Sequence, residues 1–365
     1  METKINSSEL LDLIPSINSQ KNYWLVRTSS GANYDDFING GYIAIGWNEI
    51  TLFDLNQINL FPGNKPLFDT IRDKVKSERD EDDSENSRGI QAYQSRSIGQ
   101  LLKFAYEIKK GDIVVIPSYN SDKLAFGEVL ATPILTSDSI KFGSDKCEYD
   151  KRKRVRWLKT NVSRSTLDSN LYKFIFAHQT INNISEYSEH INNFLFDFYQ
   201  LEGKYSLVLR VRSKAKIDAF AMNQFYSDLL YFIDYFSDSE ENEEKQLSVT
   251  FDLQSPGTIV FVAVAALGFG LFGIALFTIM AGGENGLEFD PTTKKFKWKF
   301  KSNSFLDKLS DFLDRREARI ERKALRIAKN DELRFKQLIE NLKHFEVSPN
   351  KDVSELTEPG SEEKN

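Results

Sequence analysis

The chain has 365 residues, 40% of them hydrophobic and 28% charged, with a formal charge of −6. This is the profile of a folded chain of two or three domains and excludes a disordered polymer. The single cysteine, Cys147, excludes an intramolecular disulfide and a multi-cysteine zinc site, and His178, His190 and His344 have no ligand spacing among them, so neither a metal nor a cofactor is expected.

Residues 1–20 read as a short leader without the apolar core of a signal peptide, which implies a cytoplasmic start. "NYWLVRTS" (22–29) and "GYIAIGWN" (41–48) are aromatic and β-branched and predict strands, with a turn and a short helix between them in "GANYDDFING". The charged stretch Lys76–Gly89 predicts a loop, and "SIGQLLKFAYEI" (97–108) has apolar residues at helical spacing. "GDIVVIPS" (111–118), "KLAFGEVLAT" (123–132) and "KRVRWLKT" (153–160) predict three further strands. Residues 1–160 are therefore expected to form a mostly β, barrel-like domain, and 161–204 a helical connector.

A strand at 205–213, an amphipathic helix at 218–236 and a strand at 244–253 make a β-α-β unit over 205–257. From Ile259 to Ala281 come 23 consecutive uncharged residues, which define an apolar segment at 258–281. Beyond it, 282–345 reads as a basic strand and helix with 16 Lys/Arg against 8 Asp/Glu over 294–345, and 346–365 as a disordered acidic tail. The expected class is α+β.

Three readings compete for the apolar segment. Gly268, Gly270 and Gly273 have the G-x-G-x-x-G spacing of a dinucleotide loop, but that loop needs a βαβ sheet around it, and only about 75 residues follow Asp290. As a helix, 23 residues span about 34 Å, enough to cross a bilayer. Ile259, Phe261, Phe269, Phe272 and Phe277 would then face lipid, and Ala266, Gly268, Gly270 and Gly273 would pack helix on helix in an oligomer. Five lysines (294, 295, 297, 299, 301) on the C-terminal side would be cytoplasmic, which conflicts with an unexported N-terminal part. The third reading makes 255–264 the last strand of the β-α-β unit and leaves the 17 residues Ala265–Ala281 as a buried or membrane-inserting helix.

No phosphate-binding loop, nucleophile elbow or H-E-x-x-H motif is present. Asp112 and Glu128 are the nearest approach to a metal-nuclease pair, but Leu130 stands where that pattern wants a lysine, so no catalytic residue is expected. The first 160 residues are instead dense in aromatics: Tyr23, Trp24, Tyr34, Phe37, Tyr42, Trp47, Tyr93, Tyr119, Phe126 and Trp157. With Arg27, Arg96, Lys123 and the run Lys151–Arg156 beside them, some of these rings suit the stacking of a base with cations near its phosphates.

The succession "YWLVRTSSGANYDDFINGGYIAIGWNEI", "IGQLLKFAYEIKKGDIVVIPS", "FGEVL" and "KRVRWLK" resembles the EVE/PUA-like domain at the N-terminus of Mrr-like restriction proteins, over about residues 22–160. The resemblance implies a β-barrel with a pocket for modified bases or nucleotides. It puts Gly46 and Trp47 at the pocket edge and Pro117, Ser118 and Tyr119 on the ligand loop. Arg27, Tyr34 and Arg96 complete the expected ligand set. The nuclease of the restriction proteins is missing, so cleavage is not implied. Residues 205–257 also resemble, weakly, segments of bacterial defence-type proteins. The expectation is a non-enzymatic sensor in antiphage defence. It would bind nucleic acid or a small nucleotide and act at the inner membrane, as a homo-oligomer or with a separate effector protein. The rival is a soluble nucleic-acid-binding subunit that partners a separate nuclease.

Overall fold

In the computed structural model the described residues are 14, 16–75, 87–131, 135–136, 146–167, 169–211, 218–237, 247–252, 257–264, 276, 285–290, 295–300 and 324–347. The protein is mixed α/β and divides into two compact units, one built on Gln20–Leu195 and the other on Phe196–Lys351 with the residues before Gln20. Strand β1 (Ser16–Ile17) belongs to the second of these.

The Gln20–Leu195 unit is a curled half-barrel of one sheet. Its elements are β2 (Tyr23–Val26), α1 (Tyr34–Gly40), β3 (Tyr42–Ile45), α2 (Leu52–Leu60), α3 (Lys65–Arg72), α4 (Ser87–Leu102), β4 (Ile113–Pro117), β5 (Lys123–Val129), β6 (Leu135–Thr136), β7 (Lys151–Ser163), α5 (Tyr172–Ile175), β8 (Ile181–Asn183) and α6 (Ser188–Leu195). The strand order is β3-β7-β5-β4-β2-β8, with β6 paired to β7. Only β2 and β4 run parallel within it.

The curl has a local cause. β7 pairs through residues 151–154 with β3 and through 155–163 with β5, so one long strand divides its length between two neighbours. The β5–β7 register shifts twice, between Leu124, Phe126 and Gly127, and such bulges sharpen twist. Gly127 is required there, because a Cβ would lie 2.4 Å from Val155 and 2.7 Å from the Trp157 ring. Trp24, Phe37, Tyr42, Ile43, Leu101 and Phe104 belong to one buried core.

A carboxylate anchors the parallel pair. Buried Asp112 accepts from the Asn22 amide (3.1 Å), the Trp24 Nε1–H (2.9 Å) and the Lys109 amide (2.9 Å), so it closes the turn into β4 and holds the start of β2. Glu128 accepts from Lys21 (3.3 Å) and Arg156 (2.7 Å) on the sheet surface. Both members of the carboxylate pair noted in the sequence thus carry structural bonds.

The cationic run of β7 differs from expectation. Lys151, Arg152 and Lys153 are buried, where the sequence suggested cations close to a ligand's phosphates. Arg152 donates to the carbonyls of Tyr149 (2.9 Å) and Cys147 (2.7 Å), with its guanidinium 4.3 Å from the Tyr42 ring centre. Lys153 donates to the carbonyls of Ile108 (2.5 Å) and Ala105 (3.2 Å), which a π-helical turn at Lys103–Glu107 leaves exposed where α4 ends. The long aliphatic stems fill core volume while the charged tips satisfy buried carbonyls.

Other expectations are corrected. Residues 161–204, expected as a helical connector, hold the end of β7, the short helices α5 and α6, strand β8 within the first sheet, and β9 (Phe198–Leu201). Helix α4 begins at Ser87, inside the stretch expected as a loop. The rest of that loop, 76–86, lies outside the described residues, as do residues 348–365 of the expected tail, whereas Val347 is a core residue.

The second unit contains β9, β10 (Lys204–Val211), α7 (Ala219–Ser237), β11 (Leu247–Asp252), β12 (Gly257–Val264), the hairpin β13 (Asn285–Asp290) with β14 (Lys295–Phe300), and α8 (Ala324–His344). Its five-stranded sheet has the order β1-β9-β10-β12-β11. Phe225 and Leu229 of α7 and Leu338 and Leu342 of α8 join Leu207, Leu209 and Phe261 in one core, where the Phe225 and Phe345 rings meet edge to face. Asp197 and Arg210 form a buried ion pair beside it.

Strand β12 settles part of the apolar segment. Residues Thr258–Val264 are a central strand hydrogen-bonded to β10 and β11, so the segment is not one continuous helix. Ile259 and Phe261, expected to face lipid, are core residues at 4% and 0% exposure. Alternation explains why: Ile259 and Phe261 point to one face and Val260 to the other. Leu276 is buried in the same core as Phe261. Ala266, Gly268, Phe269, Gly270, Phe272, Gly273 and Phe277 lie outside the described residues. Among the described residues no helix is long and apolar enough to cross a membrane.

Burial and Lys153 generate a pH dependence. Burial holds the Lys153 ammonium down to about 8, with nearby Asp112 working in the opposite direction. Between about 8 and the ordinary value of 10.5 the unfolded chain holds this proton and the folded chain does not, so stability rises with pH. The charge penalty is complete below the folded value and is relieved as the pH approaches the unfolded one. From about pH 7.5 to about pH 9.5 the native protein should gain roughly 2 kcal/mol relative to Lys153→Met. Urea unfolding of both proteins at the two pH values measures this, and equal pH dependence of the two would refute it.

Candidate ligand cleft

Two loops meet at one end of the half-barrel. The first, "TSSGAN" (28–33), leaves β2, and the second, "SYNSD" (118–122), joins β4 to β5. Thr28 Oγ1 donates to the Pro117 carbonyl at 2.5 Å and locks the loops together. Gly31, at φ +97°, lies directly against the second loop, and a Cβ on it would come within 2.2 Å of the Tyr119 nitrogen. Ser118 Oγ accepts from the Lys123 amide (2.9 Å), and its carbonyl accepts from the Ser121 amide (2.9 Å).

The loops are strained as well as close. Ser29, Ser30, Asn120 and Ser121 all have φ between 50° and 56°, in the left-handed region that costs a residue with a side chain on the order of 1 kcal/mol or more. Such conformations persist where the surroundings over-determine them and gather at ligand sites.

Between the loops is a cleft of about 190 Å³ lined by Arg27, Ser30, Gly31, Ser118, Tyr119 and Asn120, with Thr28, Pro117 and Ser121 completing the wall. Arg27 is its cation. The guanidinium donates to the carbonyls of Ile175 (2.6 Å) and Ala177 (2.5 and 3.1 Å), and no carboxylate pairs with it among the described residues. Partial burial lowers its pKa from the ordinary arginine value. Tyr119 is 68% exposed at the rim. The arrangement presents a fixed positive charge, several hydroxyl and amide groups and an open aromatic face.

The expected ligand residues do not form a single site. Arg27, Ser118 and Tyr119 come together in this cleft. Gly46, Trp47 and Arg96 lie toward the other end of β7: Ile45 pairs with Lys151 at its start, whereas the Ser118 amide bonds Lys123, which pairs with Ser163 at its end. Thirteen strand residues span up to roughly 40 Å. Trp47, at φ +56°, is partly buried and donates its Nε1–H to the Tyr93 hydroxyl (3.3 Å), while the Tyr149 ring covers Gly46. Arg96 is exposed and bonds the Ala92 carbonyl of its own helix. Tyr34 is interior: its hydroxyl accepts from the Asn161 amide (3.2 Å), and burial raises its pKa above the ordinary tyrosine value. Tyr23, Trp24, Phe37, Tyr42 and Phe126 are core.

Sequence reading missed Thr28, Ser30, Gly31, Asn120 and Ser121. The available signal was a cluster of Gly, Asn and Ser directly after two predicted strands, the composition that left-handed turns require.

A family model described as a domain of unknown function (DUF8426) matches residues 22–185, so over that stretch the chain is similar to that family. The matched residues run from β2 through β8 and so include every strand of the first sheet. No curated protein and no solved structure matches the chain.

The contact at Gly31 is testable. Gly31→Ala places a methyl group against the Tyr119 backbone at a positive φ, so the loops must part. A loss of at least about 2 kcal/mol in urea unfolding is expected. A variant as stable as the native protein would show that the two loops are not held in this contact.

Proposed function

We propose that the Gln20–Leu195 unit is a PUA/EVE-like ligand-binding module. Its loop cleft takes a planar, anionic ligand of nucleotide type, either free or as a nucleic-acid end. Arg27 meets the anionic group, the loop hydroxyls and the Asn120 amide complete its shell, and Tyr119 stacks on the ring. The observation that carries this reading is Arg27 itself: a half-buried cation in the wall of a cleft, held by main-chain carbonyls, with no carboxylate to neutralise it among the described residues. Its partial desolvation strengthens the attraction for an entering anion. In this reading the module recognises and does not cleave, and it serves as the sensing part of a defence protein, as its resemblance implies.

The burial of Ile259, Phe261 and Leu276 favours the rival reading, a nucleic-acid-binding subunit that partners a separate nuclease. There the apolar segment is interior and the output passes to a partner protein, not to lipid. Membrane action would rest on residues 265–281 alone.

The test is calorimetric titration of the full chain with ribonucleoside 5′-monophosphates and a short single-stranded oligodeoxynucleotide. Arg27→Gln and Tyr119→Ala should each weaken binding about tenfold to a hundredfold, while Tyr119→Phe should leave it within about twofold. Loss of binding in Trp47→Ala with none in Tyr119→Ala would move the site to the other end of β7. Absence of binding by the native chain to every probe would remove the proposal.

A further inference from the structure

Helix α2 is uncharged on the side that faces away from its own unit, and it exposes several large apolar side chains there. Thr51 and Asp54 form a reciprocal N-terminal cap, and the inner arc holds buried Asp54 and Leu55 with Ile58 half-buried. The outer arc carries Leu52, Phe53 and Leu60 with the uncharged amides Asn56, Gln57 and Asn59, and Phe61 follows at the end of the helix. Phe53 is 69% exposed, Leu60 58%, Phe61 52% and Leu52 36%. Exposed large apolar side chains gathered in one place mark a surface that another molecule covers.

Charge is missing from this surface. From Thr51 to Asn64 the one ionisable residue is Asp54, and its carboxylate is turned inward onto Lys74 (2.7 Å) and Thr51. The chain as a whole is 28% charged, so this uncharged stretch stands apart. Loss of charge with gain of aromatics distinguishes the centre of an interface from the surrounding surface. Beside the patch, a cleft of about 280 Å³ between Ile58, Phe61, Lys65 and Phe68 can accept a side chain.

We propose that α2 is the centre of a two-fold interface between two copies of this chain. The area is of the right size. Four large side chains at about half exposure offer roughly 350–400 Å² of apolar surface. One side of a standard interface buries about 800 Å², of which a little over half, roughly 450 Å², is apolar. The charge pattern suits this occupant. On a two-fold axis each patch meets its own image, so like charges at its centre would repel, and none faces outward between Thr51 and Asn64; Lys65 lies at the margin, beside the cleft. An anionic lipid surface or a nucleic acid would instead call for basic residues along the helix, and none lies between Thr51 and Asn64.

Sedimentation velocity of the full chain over a range of concentrations tests this. The native chain should form a reversible dimer, and Phe53→Glu with Leu60→Glu should raise its dissociation constant at least about a hundredfold. Both side chains are exposed, so the variant should keep the native circular dichroism spectrum and melting curve. The milder pair Phe53→Ser with Leu60→Ser should shift the constant in the same direction. A native chain that is monomeric at every concentration overturns the proposal. So does a dimer that neither pair weakens, which would place the interface elsewhere. Neither result bears on the ligand cleft.

Discussion

The half-barrel depends on one buried carboxylate. Asp112 has three donors within hydrogen-bond distance, the Asn22 and Lys109 amides and the Trp24 indole, and they come from the start of β2, its second residue and the turn before β4. A parallel strand pair has no tight turn to set its register. Asp112 performs that task with charge-assisted bonds that are shielded from water. The same charge favours the ammonium of Lys153, which in turn closes the carbonyls at the end of α4. Helix, turn and three strands are thus tied by two buried charges of opposite sign. Removing either would leave its own hydrogen-bond partners unsatisfied in the interior.

That rigidity is what allows strained loops at the far end of the sheet. Ser29, Ser30, Asn120 and Ser121 hold left-handed backbone conformations because β2 and α1 fix the ends of one loop and β4 and β5 those of the other, and because the Thr28–Pro117 bond and the Gly31–Tyr119 contact tie the loops together. Arg27 is immobilised in the same way by the carbonyls of Ile175 and Ala177. A cleft built so needs little rearrangement to receive a ligand, and the ordering cost of binding falls accordingly. Trp47 has a similar strain at the opposite end of β7, but there the ring is packed against the core and bonded to Tyr93.

Much of the element order was legible in the chain. "YWLV", "YIAI" and "IVVIP" have the β-branched and aromatic composition of strands, and each is one. The 218–236 periodicity marked α7, and "SPGTIVFVAV" contains β12. The cationic run of β7 was misleading because composition cannot tell a lysine that reaches water from one whose stem crosses a core to a carbonyl. The apolar run was ambiguous for a related reason: a strand buried on both faces and a helix in lipid are both continuously hydrophobic. Pairing of Ile259 with Leu209 and Phe251 resolves it for 257–264. For the candidate site, residue types were readable and partnership was not. Arg27, Ser118 and Tyr119 were singled out along with Gly46, Trp47 and Arg96, although β7 keeps the two groups apart.

From the amino-acid order alone came those properties that local chemistry dictates: where most of the strands of the first 160 residues form, the helix at 218–236, the single thiol, and the absence of a familiar catalytic motif. The assembled fold assigned everything that depends on residues far apart in the chain. It paired β2 with β4 around Asp112, turned Lys151, Arg152 and Lys153 inward, put Ile259 and Phe261 in a core, and brought the 28–31 and 118–121 loops together about Arg27. The division is physical. Backbone preference acts over a few residues, whereas burial, ion pairing and the meeting of two loops are set by sheet pairing across more than eighty positions of the chain.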